Sequence, residues 1–278
     1  MEQPICLVGI GKIAVDQHVP AIAGSPDWTL AATVSRAGSV PGVPSFDDFD
    51  AMLAERADIR TISLCLPPVP RFDYAAKAIA AGRNVMLEKP PGAALAQVHA
   101  AAKAFLAEKD VTAAHIDWKE DVRRWHPNQE WVFEPGGMGV FDPGINALSI
   151  LTEILPAPVH LKKAVLRFPE NRQTPIAADL WFSGGVTAAF DWLKQGEQVW
   201  EMTIQAGDDQ VRLLEGGNVC VINGRAVDGT VLDEYPALYH RMARLVHDRA
   251  VDVDLAPMVH VADALTLGRR EIVAPFVF

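Results

Sequence analysis

The sequence predicts an α/β protein, in which a doubly wound parallel sheet is followed by an α+β part with a large, mostly antiparallel open sheet. Residues 4–113 alternate short apolar runs with alanine-rich stretches, the pattern of a parallel sheet covered by helices on both faces. From about residue 118 the pattern changes, and residues 159–222 hold successive strands, several with period-two alternation. Because 278 residues exceed the usual size of one domain, we expect one domain over 1–113 and a second over 114–278.

The individual elements are predicted from their own residues. The parallel strands, apolar along their whole length like strands buried on both faces, are Ile5–Ile10, Leu30–Ser35, Thr61–Leu66 and Asn84–Glu88. The helices of the first part are Ala51–Arg56, Tyr74–Ala81 and Ala94–Glu108, and two helical segments, Pro236–Arg249 and Pro257–Val273, close the chain. Asp110–Trp118 is one strand, and Val199–Ala206 alternates cleanly, with Trp200, Met202 and Ile204 on one face.

Composition and charge argue against several classes of partner. With 35 acidic and 25 basic residues, the formal charge of -10 repels phosphate backbones and anionic lipids, so we expect neither nucleic acid nor a membrane as partner. No apolar run reaches about 18 residues and no signal peptide is recognisable, which predicts a cytoplasmic protein. Cys6, Cys65 and Cys220 lie far apart in apolar runs and are predicted to be buried thiols. No spacing typical of zinc ligands occurs, so no metal is expected.

A glycine-rich turn follows the first strand. Residues 9–14, GIGKIA, have the form G-x-G-x-x-A and precede a helix. Two glycines let the backbone approach a pyrophosphate, whose charge is stabilised by the free N–H groups of the helix end. We therefore assign Gly9, Gly11, Lys12 and Ile13 to a dinucleotide cofactor. The alternative is an ordinary glycine turn between a strand and a helix.

The ends of the next strands indicate which dinucleotide is bound. Ser35 and Arg36 end the second strand, where an NAD enzyme would normally show an acidic residue for the ribose hydroxyls. A hydroxyl beside a guanidinium suits a 2′-phosphate, so NADP is favoured, while NAD, use of both and a merely solvated arginine stay open. Cys65 and Pro67, at the end of the third strand, are assigned to the same cofactor site, because open sheets bind ligands there.

Two further segments carry polar groups of catalytic type. The fourth strand leads into Glu88 and Lys89, and the two prolines that follow fix the direction of the lysine, although strand-end lysines are often only solvated. Asp142 and Asn146 are four residues apart where a helix begins, so they share a face of that helix. Taken alone, this second segment is better explained by Asp142 capping the helix and Asn146 facing water.

Together, the glycine loop, the E-K-P segment at 88–90 and the D-x-G-x-N segment at 142–146 resemble the glucose-fructose oxidoreductase and inositol dehydrogenase (Gfo/Idh/MocA) family, over nearly the whole chain. The longer strings VGIGKIAVDQH, VMLEKPPGA, WKEDVRRWHP and EPGGMGVFDPGINALSI are similar to the branch of that family that oxidises L-arabinose or D-galactose at C1. The resemblance implies a Rossmann domain that binds NAD(P), and an α+β domain that binds substrate and mediates oligomerisation.

The resemblance also implies roles for single residues. Lys89 acts at the nicotinamide, with Glu88 in the same cofactor site. Around the sugar C1 it places the catalytic residues Lys89, Asp142 and Asn146, and as the wall of the sugar pocket Glu120, Trp125, His126 and Trp200. For Trp200, a place in the ordinary core is the alternative.

The sequence departs from the family pattern in two places. The family's histidine is replaced by Asn146, which cannot accept a proton, so the base is either Asp142 or Lys89 and the sequence does not choose. Relatives also carry a helix and parts of two strands, about 30 residues, where Ala113 meets Ala114 here. A deletion, a segment missing from the printed sequence and an uncommon family branch are the explanations. We favour the second, which predicts an interruption between these two residues.

The expected activity is NAD(P)-dependent oxidation of an aldopyranose, D-galactose or L-arabinose, to the aldonolactone by hydride transfer. A non-catalytic regulator that binds sugar and dinucleotide is the alternative, and a reductase for a non-sugar carbonyl is a third interpretation. One face of the C-terminal sheet is left for another element to cover, with Trp181, Phe182, Phe190 and Trp192 alternating outward and inward. We therefore expect a homo-oligomer formed through that sheet.

Overall fold

The computed structural model describes residues 2–88, 97–227 and 234–278. The strands are β1 (Gln3–Val8), β2 (Trp28–Val34), β3 (Ser45–Phe46), β4 (Thr61–Leu64), β5 (Asn84–Leu87), β6 (Ala113–Lys119), β7 (Leu161–Pro169), β8 (Ala177–Phe182), β9 (Val186–Asp191), β10 (Val199–Ala206), β11 (Asp209–Leu214), β12 (Val219–Ile222), β13 (Arg225–Ala226) and β14 (Arg269–Val273). The helices are α1 (Val19–Ala23), α2 (Phe49–Glu55), α3 (Pro68–Ala80), α4 (Gln97–Leu106), α5 (Val122–Trp125), α6 (Phe141–Ile154), α7 (Glu234–Asp248) and α8 (Ala256–Leu267). A π-helical turn at Ala14–His18 leads into α1, and 3-10 turns lie at Glu130–Phe133 and Glu215–Gly217.

The first unit is built on a five-stranded parallel sheet of order β3-β2-β1-β4-β5. Successive residues of β1 are buried on opposite faces: Ile5 and Leu7 pack with side chains of α1 and α7, whereas Cys6 and Val8 pack with those of α2 and α3. Burial on both faces explains why these strands are continuously apolar. The doubly wound parallel sheet predicted from the sequence is thus confirmed, while the two-residue strand β3 was not predicted.

The second unit is built on a nine-stranded sheet of order β13-β12-β11-β10-β6-β9-β8-β7-β14. Its neighbouring strands are antiparallel except for the pairs β6–β9 and β7–β14, which are parallel. Buried side chains of α4, α6 and α8 join its core on one face. The large, mostly antiparallel open sheet is also confirmed.

The two compact units do not divide the chain at residue 113. The first takes its residues from Met1–Ala94 and Leu232–Asp254, and the second from Leu95–Val231 and Leu255–Phe278. Helix α7 joins the first unit because Tyr239, fully buried, packs in the core formed by Ile5 and Leu7. Helix α4 joins the second unit because Leu106 is fully buried in the core of the larger sheet.

One local expectation also differs from the structure. The predicted helix Pro257–Val273 ends at Leu267, and residues 269–273 form β14, which pairs with β7. The helix ends at Gly268, whose backbone is extended, and only glycine fits there because a Cβ would lie 2.4 Å from the carbonyl oxygen of Ala264. Ala113 and Ala114 lie in β6, where they pair with Gln205 and Ile204 of β10. The segment expected to be missing between them stays a prediction.

The aromatic residues expected to alternate between the two faces of the second sheet do so at Trp181 and Phe182. Of the four aromatic residues expected to alternate there, Trp181 is exposed, while Phe182, Phe190 and Trp192 are all buried. Lys163 lies over the Trp181 ring, 4.5 Å from its centroid. No helix in the described part of the chain is long and apolar enough to cross a membrane. The three cysteines are buried and unpaired, as predicted.

Candidate active site

The turn after β1 has the geometry that a glycine motif requires. Gly9 has φ +90° and donates its N–H to the carbonyl of Val34 at 2.8 Å, and a Cβ on it would lie 3.0 Å from the Leu66 side chain. A Cβ on Gly11, by contrast, would meet no described atom within 4 Å. The fold itself therefore requires glycine at position 9, whereas glycine at 11 leaves open space against the backbone. A dinucleotide phosphate fits such a space, because the first N–H groups of a helix lack partners within the helix.

The side chains around this turn differ in how exposed they are and in what they contact. Ala14, the last residue of the motif, is fully buried, whereas the side chains of Lys12 and Ile13 are exposed and Lys12 pairs with Asp16. Ser35 stabilises the neighbouring loop, because its Oγ accepts hydrogen bonds from the N–H groups of Ala37 and Gly38 at 3.2 Å. Arg36 is exposed, and no ion pair ties it down within the described residues.

The ends of β4 and β5 are held together by an arginine that the sequence analysis did not single out. Arg71, 7% exposed, donates from Nε and Nη2 to the carbonyl of Leu66 and from Nη1 to the carbonyl of Glu88 at 2.7 Å. Cys65 is buried, and burial raises the pKa of its thiol, with the Glu88 carboxylate adding to the effect. Cys65 is therefore a neutral thiol. Pro67, exposed, is the residue before α3.

Glu88 lies at the centre of a buried polar network. Its Oε1 contacts Nε2 of His18 at 2.6 Å and accepts a hydrogen bond from the Tyr235 hydroxyl at 2.8 Å. The other ring nitrogen of His18, Nδ1, contacts the Tyr239 hydroxyl at 2.7 Å, and that hydroxyl reaches Ser63 at 3.3 Å. Burial raises the pKa of both tyrosines, so both hydroxyls stay protonated. Lys89, the next residue, lies outside the described residues.

In the second unit, Asp142 lies in the first turn of α6. A tight loop precedes the helix: Gly139 has φ +54°, and a Cβ on it would lie 2.2 Å from the carbonyl oxygen of Pro175. Asp142 is 6% exposed, and its Oδ2 lies 3.1 Å from Nε2 of His126. Asn146 is one turn further along α6 and exposed. Asp142 therefore lies near the positive end of the α6 dipole.

A second carboxylate is held between two indoles. Glu120, 6% exposed, accepts a hydrogen bond from Nε1 of Trp192 at 3.1 Å through one oxygen and from Nε1 of Trp200 at 2.9 Å through the other. The Trp125 ring is exposed, lies 5.6 Å from that of Trp200, and donates its N–H to Gln198 at 2.7 Å. An exposed indole next to a fixed carboxylate offers an apolar face and an acceptor to one ligand.

Trp192 links these groups into one cluster. Its fully buried ring also contacts His126, with 5.4 Å between the ring centroids. The structure thus brings together the predicted residues Glu120, Trp125, His126, Asp142 and Trp200. Sequence reasoning did not include Trp192 or Gln129, whose Oε1 lies 3.2 Å from Nδ1 of His126. Within the described residues, no group of three His, Cys, Asp or Glu side chains is arranged to hold a metal ion.

The parallel sheet with its glycine turn, and the second unit with its polar aromatic cluster, define the class of nucleotide-dependent oxidoreductases with a Rossmann domain. Residues 4–115 match a family described as "Oxidoreductase family, NAD-binding Rossmann fold" (GFO_IDH_MocA). The chain is also 40% identical, over 304 aligned residues covering 99% of both proteins, to the galactose 1-dehydrogenase of Pseudomonas fluorescens. The protein belongs to the Gfo/Idh/MocA family.

Solved structures agree with this assignment. The crystal structure of a D-galactose-1-dehydrogenase protein from Rhizobium etli matches with a TM-score of 0.93 and 46% identity, covering 99% of this chain and 98% of that one. A 3-ketoreductase, KijD10 of Actinomadura kijaniata, crystallised with NADP and TDP-benzene, matches with a TM-score of 0.80. At 16% identity, over 98% of this chain and 100% of the other, the second likeness shows a common fold alone.

Proposed function

We propose that this protein oxidises an aldopyranose at C1 to the aldonolactone, with NADP as the preferred cofactor and D-galactose and L-arabinose as substrates. The observation that carries the proposal is the cluster of two buried carboxylates, Glu120 and Asp142, among indole and imidazole rings. Such a cluster suits a sugar, which presents hydroxyl donors at its edge and an apolar C–H face. The likeness to two galactose 1-dehydrogenases supports it.

We assign the nucleotide to the first unit. Gly9, Gly11 and the start of the following helix hold the pyrophosphate, with Lys12 and Ile13 beside it. The exposed guanidinium of Arg36 is available for a 2′-phosphate, since Arg36 makes no ion pair within the described residues. Arg71 and the Glu88 network fix the ends of β4 and β5, where open parallel sheets bind ligands. When bound, the nicotinamide supplies the hydride acceptor.

We assign the sugar to the second unit. The C1–H bond breaks with its electron pair, the C1 hydroxyl loses its proton to a base, and the C1–O bond becomes the lactone carbonyl. Asp142 orients the C1 hydroxyl and takes its proton, and Asn146 binds a neighbouring hydroxyl. Lys89 remains the alternative base or a donor to the developing oxyanion. Glu120, Trp125 and Trp200 form the wall of the pocket.

The two proposed substrates share their configuration at C2, C3 and C4 and differ by a hydroxymethyl group at C5. One pocket therefore accepts both, with selectivity of about 1–3 kcal/mol from the extra group. The test is a screen of D-galactose and L-arabinose with NADP+ and NAD+, followed through the absorbance of the reduced nicotinamide. Trapping with hydroxylamine, which converts a lactone to a hydroxamate, identifies the product. Turnover of one sugar and none of the other would refute the shared pocket.

Variants separate the parts of the proposal. Asp142→Asn is expected to lower kcat about 10²- to 10⁴-fold, the range for loss of a general base. Arg36→Ala is expected to raise KM for NADP+ at least about tenfold while leaving KM for NAD+ unchanged, since only NADP carries the 2′-phosphate. A wild-type protein that binds the dinucleotide and reduces none with any aldose would instead be the regulator considered above.

Self-association is part of the proposal. We propose that a second copy covers the open face of the larger sheet, where Trp181 is exposed. Trp181→Glu is expected to shift the species seen by light scattering toward the monomer. An unchanged mass would place any oligomer interface elsewhere.

A further inference from the structure

The imidazole of His126 lies between two oxygen atoms. Its Nδ1 is 3.2 Å from Oε1 of Gln129, and its Nε2 is 3.1 Å from Oδ2 of Asp142. The rings of Trp131 and Trp192 meet it edge to face, with centroids at 6.1 Å and 5.4 Å. The ring is thus fixed in orientation by contacts on both its edges and its faces.

The contacts of Gln129 determine where the protons of this imidazole lie. Nε1 of Trp131 donates to the same Oε1 of Gln129 at 3.1 Å. An indole N–H is only a donor, so the Gln129 atom that it meets is the amide oxygen and not the nitrogen. Nδ1 of His126 must therefore donate to that oxygen as well. The neutral ring is held in the Nδ1–H tautomer, and Nε2 is left as its basic nitrogen.

The basic nitrogen lies 3.1 Å from Oδ2 of Asp142. With a neutral ring and an ionised Asp142, two acceptor atoms are this close together, and one proton taken up by the pair removes the conflict. The pair is therefore built to accept one proton, which ends on Nε2 or is shared with Oδ2. The side chain of His126 is 20% exposed and that of Asp142 9%, so the ring is the member nearer to solvent.

We propose that His126 relays the substrate proton from Asp142 to solvent, with Gln129 and Trp131 fixing the required tautomer. The inference rests on the proposed function, in which Asp142 meets the C1 hydroxyl. The hydroxyl O–H bond breaks and its proton passes to Oδ2 of Asp142; the proton then moves to Nε2 of His126 and leaves for water, so that both side chains return to their starting charges. His126 acts through Asp142 and is a positioning residue. It supplies in this protein the titratable ring that Asn146 cannot provide.

Several charged side chains on the described elements around His126 have partners other than its ring. Glu120 is hydrogen-bonded to Trp192 and Trp200, and Arg123 bonds Asp121 and the carbonyl of Val277. Arg124 lies over the Trp125 ring, and Glu130 pairs with Arg172. Among the described residues, Asp142 supplies the carboxylate that exchanges a proton with the His126 ring in this proposal.

His126→Gln tests the relay, because the glutamine amide can donate a hydrogen bond to Asp142 but cannot take up a proton. The matched control is His115→Gln, since Nε2 of His115 lies 3.3 Å from Oδ2 of Asp117 in an exposed pair on β6. We expect His126→Gln to lower kcat on D-galactose about 10²-fold, with KM changed less than about threefold, and to remove the acid limb of the pH profile of kcat/KM. His115→Gln keeps the wild-type profile. Equal kcat in the His126 variant and the wild type overturns the relay.

A second measurement does not depend on activity. In protein labelled with ¹⁵N-histidine, long-range ¹H–¹⁵N spectra distinguish the two neutral tautomers. We expect neutral His126 to carry its proton on Nδ1 in the wild type and to populate the Nε2–H form in Gln129→Leu, which removes the acceptor. An Nε2–H ring in an active wild-type enzyme overturns the relay alone. An Nδ1–H ring in a protein that oxidises no aldose places the failure with the proposed function.

Discussion

Replacing Tyr239 by phenylalanine removes one oxygen atom from the most deeply buried polar network of the protein. The hydroxyl of this fully buried residue contacts Nδ1 of His18 at 2.7 Å and Oγ of Ser63 at 3.3 Å. His18 and Ser63 are themselves each 1% exposed, so water cannot replace the lost partner. The ring of the phenylalanine fills the same space, and the variant therefore changes hydrogen bonding without leaving a cavity.

The expected loss follows from these contacts. A buried polar group left without its partner costs about 1–3 kcal/mol, and two such groups remain here. Because both lose the same hydroxyl and their costs are not additive, we expect the free energy of unfolding to fall by about 2–4 kcal/mol. At roughly 2–4 °C per kcal/mol for chains of this size, Tm falls by about 4–16 °C.

Urea titrations followed by circular dichroism measure this difference. Tyr74→Phe is the matched control: its ring is half-buried and packs on Phe49 with 5.0 Å between centroids, and its hydroxyl makes no hydrogen bond within the described residues. We expect Tyr74→Phe to lie within about 0.5 kcal/mol of the wild type. A Tyr239→Phe variant as stable as that control would show that the hydrogen bonds of the Tyr239 hydroxyl contribute nothing to folding.

Three further predictions concern other parts of the molecule. Gly11→Ala is expected to leave Tm unchanged but to weaken NADP binding, measured by calorimetry, at least about tenfold. Gly9→Ala is expected to lower both Tm and the affinity for NADP. Equal losses of Tm in the two variants would contradict this. Burial raises the pKa of Cys6 from 9.0 to about 12. Between pH 9 and pH 12 the unfolded chain therefore loses a proton that the folded chain keeps. The free energy of unfolding falls there by up to about 1.4 kcal/mol per pH unit. Urea titrations at pH 8 and 10.5 should show a smaller fall in Cys6→Ala. Trp192→Phe removes one hydrogen-bond donor to the buried Glu120 and is expected to lower the free energy of unfolding by about 1.5–3 kcal/mol in the same titrations. An unchanged free energy of unfolding would show that this hydrogen bond does not stabilise the fold.

The sheet strands could be predicted because burial leaves a local pattern. Continuous apolar runs located β1, β2, β4 and β5, and alternation located β10 with Met202 and Ile204 on its buried face. The sequence of a helix does not show which of the two units it packs in. Helix α7 is amphipathic in either unit, and only packing of Tyr239 with Ile5 and Leu7 shows which core it joins.

The candidate site could be predicted to the extent that resemblance supplied its residues. The resemblance named Glu120, His126 and Asp142, but their partners depend on contacts between distant segments, such as Trp192 and Glu120, 72 residues apart. Trp192 was grouped with aromatic residues that alternate between the two faces of the sheet, because the strand pattern alone did not show that it is fully buried. The His18 network was not predicted because its members come from four segments that are far apart in the sequence.

Helix α7 also has a consequence for how the protein is made. His18 and Tyr239 are separated by 221 residues. At about 5–20 residues per second, a ribosome needs on the order of 10 to 45 seconds between them, during which the whole second sheet up to β13 emerges. Synthesis of the nucleotide-binding unit therefore begins first but ends only after most of the second unit has been made. A fragment truncated at residue 113 would leave the ring of His18 and the core beside β1 without the helix that covers them, so expression of that unit by itself calls for a graft of residues 234–248.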